Sequence, residues 1–231
     1  MDKVDKVIEA ANTYYNKTHN RKEENIIGRF RSWEHCYKCF YDARKNPSPD
    51  YDYLSLQLAF YLASWGMYRG SSFLLQEDYK VHIPVVKQLL KPQYNCLLDI
   101  KCAELQKSEV CWKALEELKT FMTKYYDRIR KSVKGAEVQK EVSDTLITKI
   151  LMGTLGCVPA YDRFFIDGIK KLDVTTGDFN KESLDNLVNF YEENNMRFEE
   201  TRKRFKAHGL QYPQMKLLDM AFWQIGFEHS D

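Results

Sequence analysis

The apolar residues of this chain recur three and four positions apart in one segment after another. This spacing is typical of α-helices that turn one face to a core. The clearest stripe lies in residues 108–133, where Ser108 stands at the position of an N-cap. Its apolar members are Cys111, Leu115, Leu118, Met122, Tyr125 and Ile129.

Composition agrees with a helical body. Of the 231 residues 44% are hydrophobic, and only 10 are glycine and 6 proline, fewer than the many tight turns of an all-β protein require. We predict an all-α protein, a multi-helical orthogonal array of about eight to ten helices. Residues 1–231 are expected to form a single helical domain, in which the polar segment 134–141 could act as a hinge between two lobes.

Three segments carry specific expectations. Residues 51–67 are apolar on nearly every side of a helix, which predicts the central buried helix of the array. Residues 181–206 predict one long helix with a wide charged face. Residues 81–86, interrupted by Pro84, are the only candidate strand, which would be short and at an edge.

The net charge and the distribution of the cysteines indicate which partners and which cellular compartment to expect. The formal net charge of +2 neither indicates nor excludes a nucleic-acid partner. The six cysteines are spread among helical positions, which favours reduced thiols over a disulfide framework. Because no signal sequence or membrane-spanning run is evident, we expect a soluble cytoplasmic protein of bacterial or phage type, without a membrane partner.

Lys149 and Asp162 are the candidate catalytic residues. Lys149 lies at the centre of an apolar helix, and Asp162 opens the next helix after a break at Gly156 and Pro159. A lysine amine can form a Schiff base with a carbonyl-like carbon, and a carboxylate can act as a general base. The same residues also fit an ordinary ion pair in which Asp162 caps its helix.

The segment 144–174 resembles the end of the helix-hairpin-helix DNA glycosylases. The resemblance lies in a lysine-bearing helix, a turn reading VPAYD at 158–162, and an amphipathic helix ending in KKLDV at 170–174. It implies that Lys149 would attack the sugar carbon after base loss and that Asp162 would assist. The family's hairpin has a glycine-rich phosphate-binding turn, whereas residues 138–148 contain no glycine.

A second candidate site lies in residues 65–72, WGMYRGSS. A serine cap, free helix amides and a guanidinium could together bind a phosphate or carboxylate, and aromatic side chains could stack on a base or nucleotide. The alternative is a helix–helix corner in which the glycines allow close packing. The predicted ligand-binding residues are Trp65, Tyr68, Arg69, Ser71 and Ser72.

A metal site is not predicted. Cys36 and Cys39 could supply half of a zinc site, but no second pair with this spacing follows, so buried thiols are the preferred interpretation. We expect no cofactor.

The functional hypothesis is a glycosylase-like protein acting on a nucleic-acid base, with DNA or a nucleotide as partner. The alternatives are a non-catalytic helical module that binds a protein partner or itself, and a nucleotide-binding protein.

Overall fold

The all-α, multi-helical fold is confirmed by a computed structural model that describes residues 2–19, 28–133 and 142–228. The predicted hinge at 134–141 lies outside these residues. In the described part, the 3-10 helices are Arg29–Arg31, Phe73–Gln76, Tyr79–His82 and Pro92–Leu97. The α-helices there are α1 (Lys3–His19), α2 (Ser32–Ala43), α3 (Tyr51–Ser64), α4 (Ile83–Leu89), α5 (Cys102–Lys107), α6 (Glu109–Ser132), α7 (Asp144–Thr154), α8 (Arg163–Lys171), α9 (Lys181–Glu193), α10 (Asn195–Arg202) and α11 (Gln214–Phe227).

The central helix is α11 and not the helix at 51–67, so that prediction was wrong. Every residue of α11 from Gln214 to Gly226 is buried, and the helix packs mainly against α8 and α1. Helix α3 is buried on one face only. Its other face exposes three large apolar side chains, which are Tyr53, Leu56 and Phe60.

Two glycines set the distance between α8 and α11. A Cβ atom on Gly168 would lie 2.0 Å from the carbonyl oxygen of Phe222, and one on Gly226 would lie 1.9 Å from that of Phe164. No side chain fits at such a separation, so both positions require glycine for this crossing. The crossing fixes the start of α8, where Asp162 lies, against the buried helix.

The long helix predicted at 181–206 is divided. Helix α9 ends at Glu193, Asn194 interrupts the chain, and α10 continues to Arg202. The chain then forms a hairpin of β1 (Lys206–Ala207) and β2 (Leu210–Gln211). His208 and Gly209 both have positive φ angles, +49° and +78°, as a two-residue type I′ hairpin turn requires.

The start of α6 and the conformation of residues 81–86 were also predicted from the sequence. Ser108 is the N-cap of α6, where its hydroxyl oxygen accepts from the Cys111 amide at 3.2 Å, as predicted. Residues 79–89 are helical, so the candidate strand at 81–86 was wrong. Pro84, at the first turn of α4, suits a helix start because that turn needs no amide donor there. Among the described helices, none is long and apolar enough for a bilayer crossing.

Candidate functional site

Lys149 and Asp162 form a buried ion pair. The Lys149 amine lies 3.0 Å from Asp162 Oδ2 and also donates to the carbonyl oxygen of Trp65 at 3.1 Å. The side chains are 5% and 14% exposed, respectively. Trp65 is the C-cap of α3, so the ammonium lies at the negative end of that helix dipole. The lysine therefore joins the end of α3 to the start of α8.

Asp162 also caps α8, as its position in the sequence suggested. Its Oδ1 atom accepts from the Phe165 amide at 3.1 Å, while Oδ2 faces Lys149. One carboxylate therefore satisfies both a helix amide and a buried amine. The capping alternative and the ion-pair alternative are both present in the same side chain.

The connection between α7 and α8 is held by side chains at successive residues. The Ala160 amide donates to Asp219 Oδ1 at 2.8 Å. The Tyr161 amide donates to the Thr148 hydroxyl at 2.9 Å, and the Tyr161 carbonyl accepts from Thr145 at 2.9 Å. Lys149, one residue after Thr148 on α7, then binds the next residue of the connection, Asp162. These bonds fix the direction in which Asp162 points.

The ion pair lies in the wall of a pocket of about 440 Å³. Helices α7, α8 and α11 contribute to it, together with Trp65 at the C-cap of α3, the turn that follows, and the 3-10 helix at Arg29–Arg31. Its lining residues are Arg29, Trp65, Gly66, Met67, Arg69, Thr145, Lys149, Asp162, Arg163, Phe164 and Trp223.

The pocket is strongly cationic. Of the residues that the structure describes, four basic side chains and one carboxylate, that of Asp162, line it. In the described part of the chain, Arg29, Arg69 and Arg163 have no carboxylate partner. Unpaired guanidinium groups gathered in one hollow favour an anionic ligand, above all a phosphate or carboxylate that can accept two parallel hydrogen bonds.

Gly66 allows Arg69 to lie at the pocket. Its φ angle is +76°, and a Cβ atom on it would lie 3.0 Å from Arg69 Nε. A larger residue would strain the turn and displace the guanidinium. The close packing expected of a helix–helix corner and the placement of Arg69 at the pocket therefore occur together in this turn.

Aromatic rings form the remaining walls. Trp223 packs edge-on against Trp65 and Phe164, with ring centroids 5.6 Å and 5.4 Å away. Arg29 lies 5.7 Å above the Trp65 ring, and Arg163 lies 4.7 Å above Phe164. The pocket thus offers flat apolar surfaces next to cations, the combination that suits a planar ring carrying a negative group.

The buried phenol of Tyr14 contacts Trp223, one of the residues that line the pocket. Tyr14 packs edge-on against Trp223 at 5.8 Å. Burial raises the pKa of Tyr14 well above its ordinary value, and the nearby carboxylates of Asp219 and Asp162 raise it further. These influences favour the protonated form of the Tyr14 hydroxyl.

The predicted ligand-binding residues are only partly brought together. Trp65 and Arg69 line the pocket beside Lys149 and Asp162, whereas Tyr68, Ser71 and Ser72 are not among its lining residues. The Tyr68 hydroxyl lies 2.7 Å from His82 Nε2. Ser72 caps the 3-10 helix at Phe73–Gln76 and donates to the Met67 carbonyl, while Ser71 is exposed.

Several lining residues were missed from the sequence. Arg163 and Phe164 directly follow Asp162, so their place at the helix start was the available signal. Arg29 lies in residues 22–45, where apolar residues three and four positions apart predict one packed helix and give no sign of a binding site. Trp223 fell in the last helix, where the apolar stripe at Met215, Leu218, Phe222 and Ile225 gave no sign that a tryptophan beside it reaches a pocket.

The cysteines and histidines form no metal centre in the described residues, where no group of three or more His, Cys, Asp or Glu is placed to hold a metal ion. Cys36 is fully buried and all six cysteines are free thiols. Burial raises the pKa of the Cys36 thiol well above its ordinary value, so it is a poor nucleophile.

Comparison with protein-family models, with curated proteins and with solved structures finds no match to this chain. The functional argument therefore rests on the pocket. Its distinctive property is a buried lysine–carboxylate pair beside unpaired arginines and aromatic rings.

Proposed function

We propose that this protein binds a nucleotide unit of a nucleic acid in the pocket and cleaves its N-glycosidic bond, with Lys149 as nucleophile and Asp162 as proton carrier. The observation that supports this most is the Lys149–Asp162 pair, which lies in the wall of a pocket lined by aromatic rings and arginines. The activity is assigned to the cytoplasm, where the six thiols would stay reduced.

Both the aromatic rings and the guanidinium groups of the pocket would contact the bound nucleotide. A base removed from its stack can lie against Trp65, Phe164 or Trp223, since base–aromatic stacking contributes about 1–3 kcal/mol per base. The adjoining phosphate would bind the unpaired guanidinium groups, of which Arg69 was predicted from the sequence. Stacking on these rings and binding to guanidinium groups would together favour a base with its phosphate over a free base.

The chemistry begins within the ion pair. A proton passes from the Lys149 ammonium to the Asp162 carboxylate, 3.0 Å away, and leaves a neutral amine beside a neutral acid. The amine attacks C1′ of the sugar, and the bond from C1′ to the base breaks. The base leaves with the bonding electrons and takes the proton from Asp162. Asp162, again a carboxylate, takes a proton from the attached nitrogen and passes it to the ring oxygen O4′ as the C1′–O4′ bond breaks. The nitrogen lone pair then forms the C=N bond of a protonated Schiff base between Lys149 and C1′.

The experiment uses DNA strands and duplexes that each carry one deaminated, oxidised or alkylated base. We expect base release, and borohydride should reduce the Schiff base to a stable protein–DNA adduct. Lys149→Gln should abolish the adduct because the amide cannot attack carbon. Lys171→Gln, an exposed change at the end of α8, should retain it. Absence of release and adduct on every substrate contradicts the proposed chemistry.

Binding is tested separately from chemistry. Arg69→Ala should weaken binding of these strands about 10- to 100-fold, since hydrogen bonds to charged groups contribute about 1.5–3 kcal/mol. The matched control is Arg204→Ala, which removes the same charge from an exposed position outside the pocket. If Arg69 affects binding but no substrate reacts, the protein is a nucleotide binder without glycosylase activity.

A further inference from the structure

The exposed face of α3 does not fit the composition of that helix. Tyr53, Leu56 and Phe60 are 49%, 46% and 58% exposed, although the helix is apolar on nearly every side. Their spacing of three and four residues places them in one row, about 10 Å long at the rise of an α-helix. When large apolar side chains form a contiguous exposed patch, that patch is often an interaction site.

This row borders a groove of about 580 Å³ whose other wall carries basic groups. The second wall includes His35 and Lys38 of α2 and His208 of the hairpin turn, and the two imidazole rings are 5.1 Å apart. None of the described residues that line this groove is acidic. The groove is therefore apolar along one side and lined along the other by the Lys38 ammonium group and two imidazole rings. Burial, together with the neighbouring His208, lowers the pKa of His35, so its ring acts here as a neutral hydrogen-bonding group.

Two carboxylates, those of Glu34 and Asp42, lie near this wall. Glu34 lies 3.9 Å from His208 Nε2, but it is fully buried and is already bound to His19, Arg31 and Tyr212. Asp42 pairs with Lys38 one turn further along α2. Both of those side chains are about a third or more exposed, and such surface pairs contribute only about 0–1 kcal/mol. Lys38 thus remains available to another carboxylate.

We propose that this groove docks an amphipathic helix of a partner protein, with apolar residues against Tyr53, Leu56 and Phe60 and acidic residues along the edge that faces His35, Lys38 and His208. A row of apolar anchors beside a groove is the arrangement that binds a helix through its own i, i+3, i+4 and i+7 residues. The Lys38 ammonium group and the imidazole N–H groups are hydrogen-bond donors, and carboxylates accept from both, which favours an acidic edge on the partner. This surface is separate from the nucleotide pocket and does not depend on its activity.

The test selects a displayed library of helical peptides with fixed apolar anchors and randomised flanking residues. We expect the selected peptides to be enriched at least twofold in Asp and Glu on one edge. Phe60→Glu should weaken their binding about tenfold or more, because it removes an apolar contact and adds a like charge. Lys38→Glu should weaken it about fivefold. Met196→Glu, an exposed control on α10, should not change it.

Three results would overturn the proposal. These are a selection without binders, binders without acidic enrichment, and binders that tolerate Phe60→Glu. A concentration-dependent dimer that Phe60→Glu dissociates would show instead that the occupant is a second copy of this chain. Lys149→Gln should leave peptide binding intact, so failure of the proposed catalysis would not affect this result.

Discussion

At the level of single residues, Lys149 decides whether the pocket can act as proposed. Its ammonium is taken out of water and compensated by one carboxylate and one helix-end carbonyl. A buried pair of this kind gains little net stability, yet removing one partner is costly because an uncompensated charge stays behind.

Asp162→Asn should therefore lower the free energy of unfolding by about 3 kcal/mol. Asparagine can still cap α8, so this change tests the charge and not the cap. In urea unfolding, the double variant Lys149→Met with Asp162→Asn should regain at least about 1 kcal/mol of the summed losses. The exposed change Asp167→Asn on the same helix is the control, and additive effects of the two single changes would contradict the coupling.

The residues of this pair could be predicted from the sequence, but their burial could not. A lysine on an apolar helix, a short connection and an aspartate at the next helix start were sufficient to place Lys149 near Asp162. Two aromatic walls of the pocket, Trp65 at the end of α3 and Trp223 of α11, come from parts of the chain that are distant in sequence. Neither Trp65 nor Trp223 carries a local signal for the other, although their rings are 5.6 Å apart.

At the level of elements, the central position of α11 could not be predicted because its sequence contains several polar residues. Gln214, Lys216 and Asp219 suggest a solvent-facing side, yet each is buried and satisfied. Lys216 lies 2.7 Å from Asp219, and Gln214 accepts from the Cys102 amide at 2.7 Å. Helix α3 shows the reverse: its apolar residues predict burial on all sides, but one of its faces is exposed. Hydrophobic patterns cannot reveal pairing between distant polar groups.

The glycine crossing of α8 and α11 gives a prediction at this scale. Gly168→Ala should destabilise the protein by about 2–3 kcal/mol, because its methyl group would meet the Phe222 carbonyl. It should also impair the pocket, since α8 must shift and Asp162 with it. Thermal and urea unfolding measure the first effect, and substrate binding measures the second. Asp167→Ala, the neighbouring exposed change, should do neither, and an unaffected Gly168→Ala variant would contradict the close crossing.

At the level of the whole molecule, a buried histidine links stability to pH. His82 lies between the hydroxyl groups of Tyr68 and Tyr126, at 2.7 Å and 2.6 Å. Burial lowers the pKa of His82 from 6.5 to about 3. Above pH 6.5 both the folded and the unfolded chain hold a neutral imidazole. Below it the unfolded chain binds a proton that the folded chain excludes, so the protein loses stability as the pH falls towards 3.

Between pH 6.5 and 4.5 this loss should approach about 1.4 kcal/mol per pH unit, the value for one proton. His82→Gln should flatten the dependence there, and His208→Gln, at an exposed histidine, should not. A partly buried carboxylate, that of Glu199, affects stability at lower pH. Desolvation acts to raise the pKa of Glu199, but hydrogen bonds from Arg202, Gln214 and Tyr191 lower it to about 2. Its stabilisation is lost only below pH 4.5. Urea unfolding at several pH values separates the two, and an unchanged slope in His82→Gln would contradict this assignment.

The most direct test of the central claim is to locate the bond that the protein forms with its substrate. After incubation with DNA carrying damaged bases and reduction with borohydride, the protein is digested and its peptides are analysed by mass spectrometry. If Lys149 is the nucleophile, it is the one modified residue and carries the reduced sugar fragment. Modification of a different lysine, or no modified peptide from any substrate, would contradict it.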